Sequence, residues 1–163
     1  MPAEQTTKLF IFDADGTLRR TTVPGLPSPR SPGEWELMPN VKNTLNQMDW
    51  NSGELFLGIA SNQDGVSLGD LTKEMAYRLL QDMVAEAIGY FPLHTAIEMC
   101  TCRLGMNCRR KKPKPGMLLD IMHKFDIPPK QTLFVGDMEW DLEAARRAGV
   151  RFMWAKDFFG WGS

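Results

Sequence analysis

Cysteine is scarce: the three cysteines, Cys100, Cys102 and Cys108, fall within nine residues, so they cannot form the dispersed framework of a secreted disulfide scaffold. No apolar run approaches the roughly 18 residues of a membrane span. The stretch from Met1 to Lys8 is polar, so no membrane partner and a cytoplasmic setting are expected. Charge of one sign is also missing. Nineteen Lys and Arg stand against 20 Asp and Glu, for a net charge of -1, and no overall field draws the chain to nucleic acid or to a membrane surface. Nothing repeats, and no Gly/Ser linker divides the sequence. What is present, 43% apolar and 24% charged content over 163 residues, suits one compact domain over residues 1–163 with a real core.

Short apolar runs alternate with helical patterns. Lys8–Phe12 ends abruptly in acidic residues and glycine, as a buried strand feeding a loop does, and similar runs recur at Leu55–Ala60, Thr132–Val135 and Arg151–Trp154. Between them, Leu71, Met75, Leu79, Met83 and Ala87 step by four and predict a core-facing helix. A second helix is expected from Pro115 through Phe125, stopped by Ile127-Pro128-Pro129, and a third from about Glu139 to Ala148, capped by Gly149. Strands alternating with helices predict an α/β fold: a Rossmann-like parallel sheet with helices on both faces. Two stretches read as irregular: Arg19–Pro39, with five prolines, and Gly89–Lys114, which holds all the cysteines.

The chemistry concentrates at strand ends. Asp13-Ala14-Asp15-Gly16-Thr17 follows the first strand, where ligands of open α/β sheets bind. Two carboxylates two residues apart can face one small volume, and the glycine lets backbone approach a phosphate. An acidic turn that satisfies its own amides would look the same. Ser61-Asn62-Gln63 ends the Leu55–Ala60 run, and Gly136-Asp137 ends Thr132–Val135, with Asp141 four residues on. Ser61 and Asp137 taken singly read as helix caps, but in one parallel sheet these ends converge. Lys111-Lys112-Pro113-Lys114-Pro115 is an extended approach to a helix that can aim a lysine back at the strand ends; alone it is a solvated basic loop.

Four segments in order, DADGT at 13–17, ASN at 60–62, KPKPG at 112–116 and GDMEWD at 136–141, resemble the haloacid dehalogenase superfamily of phosphotransferases. The short length, Ser61–Gly65 and the cysteine-bearing loop resemble its histidinol-phosphate and heptose-bisphosphate phosphatase branch. The resemblance implies only small cap elements on the fold and a magnesium-dependent phosphomonoester hydrolase working through an aspartyl-phosphate, on a phosphorylated sugar or amino alcohol. It implies Asp13 as nucleophile, Asp15 as general acid and base, Ser61 on the phosphoryl oxygens and Lys112 offsetting their charge. Mg²⁺ would be held by Asp13, Asp15 and Asp137, with Asp141 orienting Lys112 or the metal site. Asn62 and Lys111 would meet the substrate. The branch commonly carries arginine where this chain has Ala14 and Lys111, and lysine lacks the planar fork that grips phosphate.

Two further readings stay open on the sequence. His94, Cys100, Cys102 and Cys108 can close a tetrahedral, structural Zn²⁺ site, as a related loop in the branch does, or remain reduced thiols beside an unrelated histidine. The run Arg109–Lys114 holds five cations in six residues, and it is either a solvated loop or a device that gathers an anionic substrate, a nucleic-acid 3′-phosphate end included. A phosphoacceptor signalling domain shares aspartates, hydroxyl and lysine, but it has no need of an acid-base partner in the same turn as its acceptor.

Overall fold

The computed structural model describes residues 6–103 and 105–162. Five strands form one parallel sheet: β1 Leu9–Phe12, β4 Phe56–Asn62, β5 Thr95–Cys100, β6 Thr132–Gly136 and β7 Arg151–Trp154, in the order β5-β4-β1-β6-β7. β1 is central because its residues suit burial on both sides. Leu9 and Ile11 point into one core, Phe12 into the other, and all three are fully buried. The chain leaves β1 for β4 on one side and reaches β6 on the other, so a topological switch point lies at the carboxyl end of β1.

The two cores are the two faces of the sheet. On one, α1 Val41–Leu45, α3 Lys73–Ile88 and α6 Ala155–Phe159 cover Phe12, Ile59 and Val135. On the other, α4 Gly116–Phe125 and α5 Glu139–Ala148 cover Ile11, Ala60 and Phe134. Of the stripe predicted for α3, Leu79, Met83 and Ala87 are buried together with Leu80 and Val84, whereas Met75 is half-buried and Leu71 precedes the helix; burying a Leu, Met or Val side chain stabilises by about 1.5–3 kcal/mol. Thr72 caps this helix by accepting the Met75 N–H, and Gly149 ends α5 at φ 76°. Among the described residues no helix is long and apolar enough to cross a membrane.

Both stretches read as irregular contain strands. Within Arg19–Pro39, β2 Arg19–Thr21 and β3 Trp35–Leu37 pair antiparallel, a small hairpin whose connection holds Pro24, Pro27, Pro29 and Pro32. Proline is excluded from paired strands but suits the loop between them. Within Gly89–Lys114, β5 extends the sheet beside β4, and Cys100 is its last residue. A four-residue helix, α2 Asp64–Ser67, follows β4 and helps wall the cavity at the sheet's carboxyl edge.

Candidate active site

The turn after β1 is fixed by backbone bonds: the Asp13 N–H donates to Val135 O at 3.0 Å, and the Leu18 and Arg19 N–H groups both donate to Ala14 O. Gly16 has no tolerable substitute here. It sits at φ 88°, and a Cβ would lie 2.1 Å from Asp137 Oδ2. The missing side chain lets the β1 turn and the β6 end close on one another, and Asp13, Asp137 and Asp141 offer oxygens within 4.8 Å of one another. Gly136 does the same one strand over, where a Cβ would meet Asp141 Cβ at 2.5 Å.

Lys112 is the counter-charge. Its Nζ donates to Asp13 Oδ1 at 2.8 Å and to Ala60 O at 2.9 Å, and lies 5.5 Å from the centre of the Phe134 ring. It also pairs with Asp141 Oδ1 at 2.7 Å. Asp141 Oδ2 accepts the N–H groups of Asp137 and Met138 at 3.2 Å each, so one carboxylate fixes both the start of α5 and the lysine. Burial holds the Asp13 pKa well above the carboxylate range, against the pull of Lys112 and with the help of Asp141 and Asp137. Asp137 is raised as well, by burial first. For Lys112, burial works against the charge, but Asp13 and Asp141 outweigh it and the ammonium is held above its ordinary range. Removing Lys112 would leave two buried carboxylates unpaired, at a cost of about 3–5 kcal/mol.

A cavity of about 370 Å³ opens over this group, lined by Asp13, Asp15, Asn62, Asp64, Lys112 and Asp137, with Pro27, Ser28, Gly65, Met138 and Trp140 around its mouth. Of the sequence-predicted residues, Asp13, Asp15, Lys112 and Asp137 line this cavity; Asp141 is buried against Lys112, and Ser61 is buried beside Asp15, linked to it through Gln63. Ser61 Oγ accepts from Gln63 Nε2 at 2.7 Å, so its own O–H is free to donate to a ligand. Three of the expected site residues have partners that the sequence did not show. The Asp15 carboxylate does not join the metal-capable group; Arg19 Nε at 2.8 Å and Gln63 Nε2 at 3.1 Å hold it to one side. Asn62 is engaged twice by the Lys112 backbone, giving Nδ2 to its O and taking its N–H, both at 3.1 Å, so it positions the lysine. Lys111 is turned onto Asp64 and offers no free charge.

Sequence reasoning passed over Thr17, Arg19 and Gln63. Thr17, fully buried, donates from Oγ1 to Asp13 Oδ2 at 3.4 Å or Asp137 Oδ1 at 3.3 Å. Arg19 is also fully buried against Asp15, with Nη1 left without a partner. Thr17 stood in the DADGT motif and could have been named from it; Arg19 carried no local signal.

The four-ligand zinc set does not form. His94 precedes β5 and stacks on Phe56, with centroids 4.9 Å apart, whereas Cys100 ends β5, six residues and about 20 Å along the strand. Cys100, Cys102 and Cys108 do converge, their sulfurs within 4.8 Å of one another, with Cys102 and Cys108 joined as a disulfide and Cys100 Sγ 3.6 Å from Cys108 Sγ. The basic run is not a free patch: Arg109 pairs with Asp120, Arg110 with Glu98 and Asp120, and Lys114 with Asn107.

The sequence profile of the haloacid dehalogenase-like hydrolases matches residues 78–155. The chain is 31% identical over 146 residues to a D-glycero-β-D-manno-heptose-1,7-bisphosphate 7-phosphatase of Bordetella bronchiseptica, covering 87% of this chain and 76% of that protein. It is 32% identical over 144 residues to the protein of the same name from Pseudomonas aeruginosa, covering 85% and 75%. A crystal structure of D,D-heptose 1,7-bisphosphate phosphatase from B. bronchiseptica, complexed with magnesium and phosphate, superposes with a TM-score of 0.77 at 25% identity, over 96% of this chain and 88% of that one.

Proposed function

The chain belongs to the haloacid dehalogenase-like hydrolases, and from that premise we propose that it is a magnesium-dependent phosphatase whose nucleophile is Asp13 and whose substrate is a phosphorylated sugar or amino alcohol. The heptose bisphosphate of its relatives and histidinol phosphate are the nearest examples of that class. The observation that carries the reading is the Asp13 carboxylate 2.8 Å from the buried Lys112 ammonium, in a cavity it shares with Asp15 and Asp137. We assign the whole chain to one unit working in the cytoplasm, in keeping with a small-metabolite substrate.

Hard oxygen donors suit Mg²⁺, and with Asp141 and Asp15 engaged elsewhere the side chains to hold it are those of Asp13 and Asp137. When bound, the ion supplies positive charge that offsets the repulsion between carboxylate and phosphate dianion. Lys112 adds its own positive charge beside Asp13, and the Ser61 hydroxyl would donate to a phosphoryl oxygen. An Asp13 oxygen attacks phosphorus in line, the ester P–O bond breaks, and Asp15 gives its proton to the departing alkoxide. Asp15 then takes a proton from water, whose oxygen attacks phosphorus and frees Asp13 with release of phosphate. Arg19 and Gln63 serve this cycle by holding the Asp15 carboxylate at the cavity wall.

Steady-state release of phosphate from p-nitrophenyl phosphate and a panel of sugar and amino-alcohol phosphates tests the reading. Turnover is expected with Mg²⁺ and not with EDTA. Asp13→Asn should lower kcat at least about a thousandfold and Asp15→Asn about a hundredfold. A folded Asp13→Asn protein with near-normal turnover contradicts the assignment.

A further inference from the structure

The charges around the cavity divide the proposed substrate class. Four carboxylates line it, Asp13, Asp15, Asp64 and Asp137, against one ammonium, Lys112. Lys112 is committed to the reacting phosphoryl group by its place between Asp13 and Asp141. A substrate with a second phosphate needs a second cation within reach of the mouth, and on the α2 side of the cavity each neighbouring candidate is already paired. Lys111, 16% exposed, is paired with Asp64, which stands 42% exposed on the α2 wall. Arg30, next to the Pro27-Ser28 edge, pairs with Asp70 at 3.6 Å. Arg109 and Arg110 pair with Asp120 and Glu98. Lys156 lines a different cavity, beyond Asp137, between Trp154 and Trp161. The rest of the mouth, Pro27, Met138 and Trp140, is an apolar and aromatic surface suited to a carbon skeleton or to a cationic group over the indole, with Trp140 44% exposed.

We propose that Asp64, which lines the cavity and neutralises Lys111 behind it, sets the specificity of the enzyme for single phosphomonoesters of neutral or cationic alcohols and against leaving groups that carry a second phosphate. The inference rests on the phosphatase reading for the place of the reacting phosphate. It separates this chain from relatives named for a bisphosphate, and it makes Asp64 a specificity residue that takes no part in the chemical step. A second phosphate entering the mouth would have to separate Lys111 from Asp64 and then sit near the freed carboxylate. Asp64→Asn keeps the size of the side chain and removes that opposition.

Butylphosphonate and the α,ω-diphosphonate of butane, which cannot be hydrolysed, report the discrimination by calorimetric titration in Mg²⁺. In the parent the diphosphonate should bind no more tightly than the monophosphonate. Asp64→Asn should shift the ratio of the two affinities about three- to fivefold toward the diphosphonate, the scale of one partly exposed ion pair. Adding Lys111→Ala to that variant should erase the shift. A parent that binds the diphosphonate tenfold more tightly, or an Asp64→Asn ratio equal to the parent's, overturns the proposal. Because these are binding measurements, they stand apart from Mg²⁺-dependent turnover of p-nitrophenyl phosphate, whose absence would fault the phosphatase reading instead.

Discussion

Asp13 combines two demands that oppose one another. As a nucleophile it must be ionised, yet burial, with Asp141 and Asp137 close by, favours its protonated form despite Lys112. A carboxyl whose folded pKa is raised binds its proton more tightly folded than unfolded. Its contribution to stability is therefore present at low pH and lost as pH rises through the folded value. Lys112, raised in its turn, stays charged in both states throughout the acidic and neutral range, so its contribution is constant there. Metal-free protein at neutral pH thus carries the cost of an ionised Asp13, and Asp13→Asn should melt a few degrees higher than the parent in EDTA. The difference should shrink as pH falls through the raised pKa. Added Mg²⁺ should raise the melting temperature of the parent more than that of the variant. Thermal denaturation across pH, with and without the ion, checks all three; a variant no more stable than the parent at neutral pH would mean that burial does not dominate at Asp13. The same scale shows how far single residues were legible. Asp13, Asp15, Ser61, Lys112, Asp137 and Asp141 could be named because they stand in four short motifs in order, three of them at the ends of apolar runs and one in a proline-flanked basic segment. Arg19 was missed although its contact with Asp15 is only four residues away, because an arginine at the start of a strand reads as exposed; Gln63 was read with the strand end, but its contact with Asp15, 48 residues away, was not visible.

At the scale of elements, β5 and the loop after it decide the fate of the cysteines. The strand was hard to read because Thr95 and Glu98 interrupt its apolar pattern. On an edge strand that is tolerated, and Glu98 finds Arg110. Recognising β5 would have separated His94 from Cys100, since a strand between two residues carries them apart. The hairpin of β2 and β3 was hidden by its prolines, which belong to the connection and not to the paired residues. By contrast α3, α4 and α5 followed their periodicity and caps closely, because a helix declares itself within its own sequence. The thiols that do converge are three, too few to enclose zinc alone, and two of them are joined. We predict that fully reduced protein takes up about one equivalent of zinc through Cys100, Cys102 and Cys108 with water as the fourth donor, and that oxidised protein takes up none. Metal analysis decides: His94→Ala should leave the content unchanged and Cys102→Ser should abolish it, whereas loss of zinc in His94→Ala would restore the histidine as a ligand.

Over the whole molecule, the switch point between β4 and β6 gathers segments far apart in sequence, and a net charge of -1 is distributed so that most of the conspicuous basic run meets carboxylates of the same chain. That distribution bears on the nucleic-acid reading. Counterion release needs cations free to meet backbone phosphates, and Arg109, Arg110 and Lys111 are held by Asp120, Glu98 and Asp64. A 3′-phosphorylated oligonucleotide should therefore be turned over at least about a hundredfold less efficiently than the best small phosphomonoester. Comparable kcat/KM values, with a steep fall as salt is raised, would show that the run opens to bind a strand. The central claim is more specific than any of these, since it places a covalent bond on one oxygen of one residue. Borohydride reduction of the enzyme quenched during turnover, followed by peptide mass spectrometry, tests it most directly, because an aspartyl-phosphate is reduced to homoserine and a free carboxylate is not. Homoserine at position 13, appearing only when Mg²⁺ and substrate are both present, is the predicted result. An enzyme in full turnover whose Asp13 is recovered unreduced while another carboxylate becomes the reduced alcohol would contradict the account.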